Sequence, residues 1–141
     1  MSGRTFVDTD VLIYAHDADA GRKHEIAERV LRELWSERTG LLSTQVLQEF
    51  YVNVTRKIAA PLSKESARAV VSAYASWSSE ISLDEISAAF RIEDESRLGF
   101  WNSLIIASAA KAGAIRLLSE DMNAGQIVSG VRIEDPFAPA P

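Results

Sequence analysis

No cysteine occurs among the 141 residues. Disulfides and thiolate metal ligation are therefore excluded, although this says little about compartment. Histidine is scarce: His16 and His24 are the only two, neither shows ligand spacing, and neither is a candidate for catalysis. No apolar run reaches the length of a membrane span. Met1 to Thr5 lacks a basic stretch followed by an apolar one, so no secretion signal is read there and a cytoplasmic location is the expectation. Positive charge is not in excess either. The formal net charge of -5 argues against nucleic-acid binding driven by overall charge, while leaving room for a local basic rim around an acidic pocket. There is no repeat and no low-complexity block.

What is present fits one globular domain. The 47% hydrophobic and 25% charged content are ordinary values, and the length suffices for a two- or three-layer core. The expected domain covers residues 1–137, followed by a tail, 138–141, that is expected to fray.

Residues 4–8 read as a first strand, buried and ending on Asp8. Short helical spacing follows from Val11 to Asp17, and an amphipathic helix from Lys23 to Arg38, closed by Gly40. Leu41 to Ser43 is a second strand, and Thr44 is placed to cap a helix running to Ile58. Ser63 opens a helix to Trp77, Glu80 to Leu83 is a third strand, and a helix begins at Asp84 and runs to Arg97. Trp101 to Ala112 is a very apolar helix stopped by Gly113. Ile115 to Leu118 and Val131 to Ile133 complete five strands. Strands alternating with helices predict an α/β fold: a mostly parallel sheet with helices on both faces.

The chemistry-bearing residues stand where strands end or the next helices start. Asp8 follows the first strand, and Asp10 is read as a helix cap. Glu49 lies in the first turns of the helix after strand two, on a polar stripe with Gln45, Asn53 and Arg56. Taken alone, that stripe reads as a solvent-facing helix surface. Asn102 opens the apolar helix, where an N-cap is the simplest role. Asp121 follows strand four in Ser119-Glu120-Asp121, a composition that by itself suits a turn. Convergence of Asp8, Glu49 and Asp121 would produce a cluster that repels itself without a cation. Oxygen ligands in an open site suit Mg²⁺ or Mn²⁺ and metal-assisted phosphodiester hydrolysis. Arg56, Lys57, Arg97 and Lys111 are candidate phosphate contacts.

Four stretches together resemble the PIN-domain ribonucleases, most closely the VapC-type toxins of bacterial toxin–antitoxin pairs. They are Phe6-Val-Asp-Thr-Asp-Val-Leu-Ile-Tyr-Ala, Ser43-Thr-Gln-Val-Leu-Gln-Glu-Phe-Tyr, Phe100-Trp-Asn-Ser-Leu-Ile-Ile-Ala-Ser-Ala and Leu117-Leu-Ser-Glu-Asp-Met-Asn-Ala-Gly-Gln. Each is weak alone; their family order across nearly the whole chain is specific. The resemblance implies a three-layer PIN-like fold with a five-stranded parallel sheet in order 3-2-1-4-5. It also implies Mg²⁺- or Mn²⁺-dependent RNA cleavage, homodimers, and neutralisation by a small antitoxin. Asp8, Glu49, Asn102 and Asp121 occupy the family's catalytic and metal-ligand positions.

One departure bears on activity. The resemblance implies a third aspartate where this chain has Asn102, and an amide oxygen can ligate a cation or a bound water but brings no charge. Two explanations fit: an engineered inactivating substitution, or a natural member with weak or lost catalysis. Asp10 stands where asparagine is frequent in the family, and could restore some negative charge nearby. Two other classes remain open. A non-catalytic PIN-like binding module rests on Asn102 alone. A haloacid-dehalogenase-like phosphatase is suggested by Asp8-Thr9-Asp10-Val11, but lacks a convincing Ser/Thr and Lys pair and leaves Glu49 idle.

Overall fold

The protein is described by a computed structural model, covering residues 3–139. Thr5, Phe6 and Val7 of β1 (Arg4–Val7) are fully buried, as an interior parallel strand requires. The chain continues through α1 (Thr9–Ala15), a 3₁₀ turn at Ala18–Ala20, α2 (Arg22–Glu37), β2 (Gly40–Ser43) and α3 (Thr44–Arg56). Then come α4 (Lys64–Tyr74), a 3₁₀ turn at Ala75–Trp77, β3 (Ser78–Ser79), α5 (Leu83–Ser96) and α6 (Phe100–Lys111). It ends in β4 (Ala114–Leu118), β5 (Ile127–Val128) and β6 (Val131–Glu134).

The sheet order is β3-β2-β1-β4-β6-β5. Five strands are parallel in the expected order, with β6 in the fifth place. The sixth, β5, adds an antiparallel edge through Ile127↔Arg132 and Val128↔Val131. Helices cover both faces; α1 packs on α2 and α3, and α5 packs on α6. Helix α6 is buried along Ser103–Ala109, which explains its near-continuous apolar sequence.

Several local expectations shift. The third strand is Ser78–Ser79, paired with Leu42 and Ser43, rather than Glu80 to Leu83. Ser82 is instead the N-cap of α5, in a reciprocal capping box with Glu85, and this draws the following residues into helix. Ser43, not Thr44, is the N-cap of α3; the Thr44 hydroxyl accepts from the Ile81 N–H at 3.4 Å. Gly40 does not end α2, because Arg38 takes the left-handed cap at φ 59°. Gly40 is needed for close packing: a Cβ there would collide with the Trp77 ring. Of the tail expected to fray, residues 140 and 141 lie outside the described residues. The Ala138 N–H reaches the Asp135 carbonyl at 3.4 Å.

The register of β1 against β4 positions the candidate site. Phe6 pairs with Leu117 and Val7 with Leu118. The next residues, Asp8 and Ser119, therefore leave the C-terminal edge side by side. Strand order reverses between β1 and β4, and open α/β sheets bind ligands at such a point.

Candidate metal centre

Asp8, not Asp10, caps α1. Its carboxylate accepts from the Thr9 N–H at 2.7 Å, while its own N–H donates to the Leu118 carbonyl at 2.9 Å. Its second oxygen accepts from the Ser119 hydroxyl at 2.7 Å. The same hydroxyl accepts from the Asp121 N–H at 3.3 Å, tying the turn after β4 to the end of β1. The Thr9 hydroxyl donates to Glu49 at 2.8 Å and so anchors the α3 carboxylate beside Asp8. The polar stripe around Glu49 is thus not simply solvent-facing: Gln45 is buried and donates to the Trp101 carbonyl at 3.3 Å. Asn53 donates to the Glu49 carbonyl at 2.8 Å.

Asp10 turns out to be a member of the acid group rather than a cap. One oxygen accepts from the Glu120 N–H at 3.0 Å; the other, Oδ1, is buried and has no hydrogen-bond partner. Ligand oxygens of Asp10, Glu120 and Asp121 lie within 4.8 Å of one another. Sequence reasoning favours a cap role for Asp10, with at most some added negative charge nearby, and names Glu120 only beside Asp121 as possible metal acids of the phosphatase alternative. The Ser119-Glu120-Asp121 run was the available signal, but only tertiary contact shows that both acids of that run face Asp10.

Burial pushes the Asp8 carboxyl up to about 6, with the charges of Glu49 and Asp121 adding to the rise and hydrogen bonds from Ser119 and Thr9 opposing it. Burial raises Asp10 further, to about 8, helped by the charges of Asp8 and Asp121. For Glu120 burial also acts upward, but hydrogen bonds from Lys23 and Tyr14 and the Lys23 charge outweigh it, leaving its pKa lowered. The group is thus an electrostatically frustrated set of oxygens, one without a donor. Hard cations fit such a donor set.

Asn102 is half-buried at the third position of α6, whose N-cap is Gly99, so the N-cap role expected for it is not observed. The Gln45–Trp101 bond sets this first turn of α6 against the start of α3. The expected basic residues are more dispersed. Arg56 and Lys57 are exposed at the far end of α3 from Thr44, and Arg97 is the exposed left-handed cap of α5. Lys111 lies at the opposite end of α6 from Asn102, bonded to Ser82 at 2.9 Å and paired with Glu85 at 3.4 Å. The cation placed against the acids is instead Lys23, which pairs with Glu120.

With this geometry the sequence matches the PIN domain family model over residues 5–127, and the chain belongs to that family. A comparison with curated protein sequences finds no match. Among solved structures, the fold is similar to that of VapC20 from Mycobacterium tuberculosis, described as a sarcin–ricin loop cleaving toxin. That match has 19% identity and a TM-score of 0.59, covering 80% of this chain and 86% of that one. A toxin–antitoxin complex from Klebsiella pneumoniae contains a chain with 20% identity and a TM-score of 0.65, covering 94% of this chain and 98% of that one. DNA-bound VapBC from Salmonella typhimurium gives 20% identity and a TM-score of 0.66, with coverage of 96% and 99%. At these identities the structural likeness establishes the fold. Among the described residues, no helix is long and apolar enough to cross a membrane.

Proposed function

We propose that this PIN-domain protein is a metal-dependent endoribonuclease toxin of the VapC type, neutralised by a cognate antitoxin. The observation that carries the reading is the crowding of carboxylates at the strand-order reversal, with a buried Asp10 oxygen that no protein group satisfies. Asp8, Glu49 and Asp121, joined by Asp10 and Glu120, would hold Mg²⁺ or Mn²⁺. Such an ion, when bound, would supply Lewis-acid stabilisation of a phosphodiester under attack by water.

The chain's own residues have separable tasks in this reading. Thr9 and Ser119 each donate to one oxygen of the Asp8 carboxylate and so fix it from two sides. Thr9 also holds Glu49 by its hydroxyl, so one residue sets two acids. Asp10 contributes a carboxylate where the resemblance leads one to expect asparagine, and Asn102 contributes a neutral amide in place of an acid. The pair redistributes charge from the α6 side of the site to the α1 side. Asn102 offers an amide oxygen and an amide N–H to a bound water or to RNA. Lys23 stands as a cation at the edge of the acids, where a phosphate would approach.

The structural neighbours' antitoxin complexes support an antitoxin partner for this chain as well, while a homodimer rests on the family resemblance. Co-expression with the product of the adjacent small gene, followed by size-exclusion chromatography, tests the partner: co-elution is expected. The activity is tested by incubating the purified chain with mixed RNA and Mn²⁺, with and without EDTA. Cleavage suppressed by EDTA supports the nuclease. A folded chain that binds no Mn²⁺ by calorimetry, before or after Asn102→Asp, favours the non-catalytic binding module, the reading that Asn102 itself motivates. The contact of Glu49 with Thr9 counts against the phosphatase, in which Glu49 has no task.

A further inference from the structure

Glu120 is a half-buried acid whose carboxylate faces two others, Asp10 and Asp121. Left to itself it would swing towards water, because like charges repel and the way out is open. Two groups oppose that motion. The Tyr14 hydroxyl donates to Glu120 Oε1 at 2.7 Å, and Lys23 Nζ pairs with Oε2. Lys23 is itself held by aromatic faces, 5.2 Å from the centroid of Tyr14 and 6.0 Å from that of Phe137. Phe137 packs edge-on against Tyr14 at 5.1 Å and is fixed by Arg22, which donates to its carbonyl at 3.2 Å. The hydroxyl of Tyr14 is thus aimed by a packed ring, not by a loose side chain.

We propose that Tyr14 is a positioning residue for the acidic centre: its hydroxyl, with Lys23 on the other oxygen, holds Glu120 in the inward conformation in which the carboxylate can join Asp10 and Asp121 around a divalent cation. The inference rests on the metal-dependent reading above. Tyr14 does not itself reach the cation; it acts through Glu120. Removing only its hydroxyl leaves the ring against Phe137 and deletes the bond to Oε1.

The experiment is a calorimetric titration of Mn²⁺ into the full chain and three variants, Tyr14→Phe, Glu120→Gln and the double substitution, each checked by thermal melt. Tyr14→Phe is expected to weaken Mn²⁺ affinity about three- to tenfold, and Glu120→Gln at least as much. The double variant should match Glu120→Gln alone, because Tyr14 has no other route to the cation. On an RNA substrate at limiting Mn²⁺, kcat should fall for Tyr14→Phe with KM unchanged. Parent-like affinity in Tyr14→Phe overturns the proposal, as does a Tyr14→Phe loss that recurs in full on the Glu120→Gln background. If the parent binds Mn²⁺ and Asp8→Ala does not, while Tyr14→Phe equals the parent, this inference alone fails. A folded parent that binds no Mn²⁺ removes both readings.

Discussion

Glu85 and Asp10 are both acids drawn into the protein, and their surroundings treat them in opposite ways. Glu85 is 3% exposed. One of its oxygens accepts from the N–H and hydroxyl of Ser82, both at 3.2 Å, and the other from Ser108 at 2.8 Å. Lys111 adds a positive charge at 3.4 Å. Asp10 has the Glu120 N–H at one oxygen and only weak help from the Val11 N–H, its buried Oδ1 makes no hydrogen bond, and its neighbours Asp8 and Asp121 are negative. Burial of an acid is therefore not by itself a mark of function. A buried acid with its partners supplied closes a helix terminus, whereas one left without them is, on the proposed reading, free to meet a cation.

The sharpest way to break this contrast is to delete one acid from each region. Asp8→Ala should lower RNA cleavage by at least about 10³-fold, roughly 4 kcal/mol of transition-state stabilisation, and abolish Mn²⁺ binding heat. Loss of the α1 cap should cost about 1 kcal/mol of stability, offset in part by relief of repulsion. Glu85→Ala should do the reverse. It strands the Ser108 hydroxyl and removes the α5 capping box, lowering unfolding free energy by about 2–3 kcal/mol in urea titration with Mn²⁺ affinity unchanged.

Two smaller effects sharpen the comparison. On the proposed reading Asn102→Asp adds a charge to an acidic region that already has too many, so its benefit should appear only with metal. Mn²⁺ affinity should rise about ten- to a hundredfold, roughly 1–3 kcal/mol after desolvation, with faster RNA cleavage. The smallest effect is one of pH. Burial holds the Asp8 and Asp10 carboxyls at about 6 and about 8, above the ordinary carboxylate range. From pH 4 to 8 the folded chain keeps protons that the unfolded chain has released, so these groups make stability fall as pH rises. In EDTA the Asp8 and Asp10 terms should contribute a decline of at least about 1 kcal/mol over that window. Asp10→Asn or saturating Mn²⁺ should flatten it, while conservative changes at Glu85 should leave the slope as it is. Melting curves in a pH series read all four cases.

Much of the fold was legible because its signals are local. The buried run before Asp8 and the largely apolar α6 announce interior elements by composition alone. Ser63 reads as a cap from its neighbours, and its hydroxyl does accept from the Ser66 N–H at 3.0 Å. What escaped is non-local. Strand β5 has two residues, too few for a pattern. Gly40 looks like a helix stop until the Trp77 ring is found over it. In the candidate site, Asp8, Glu49 and Asp121 could be named from their places after strands. Asp10 could not be told from a cap, since its partner Glu120 is 110 residues away. Tyr14 reads as part of an apolar helix, and the bond that gives it a task spans 106 residues.

Ser119 has one hydroxyl proton, and the structure commits it to Asp8 while the oxygen receives the Asp121 N–H. The link is directional. The proton points to Asp8 and the lone pair takes the Asp121 N–H. The end of the first strand and the turn after the fourth are thereby joined across a single side chain too small to show any sign of it in composition.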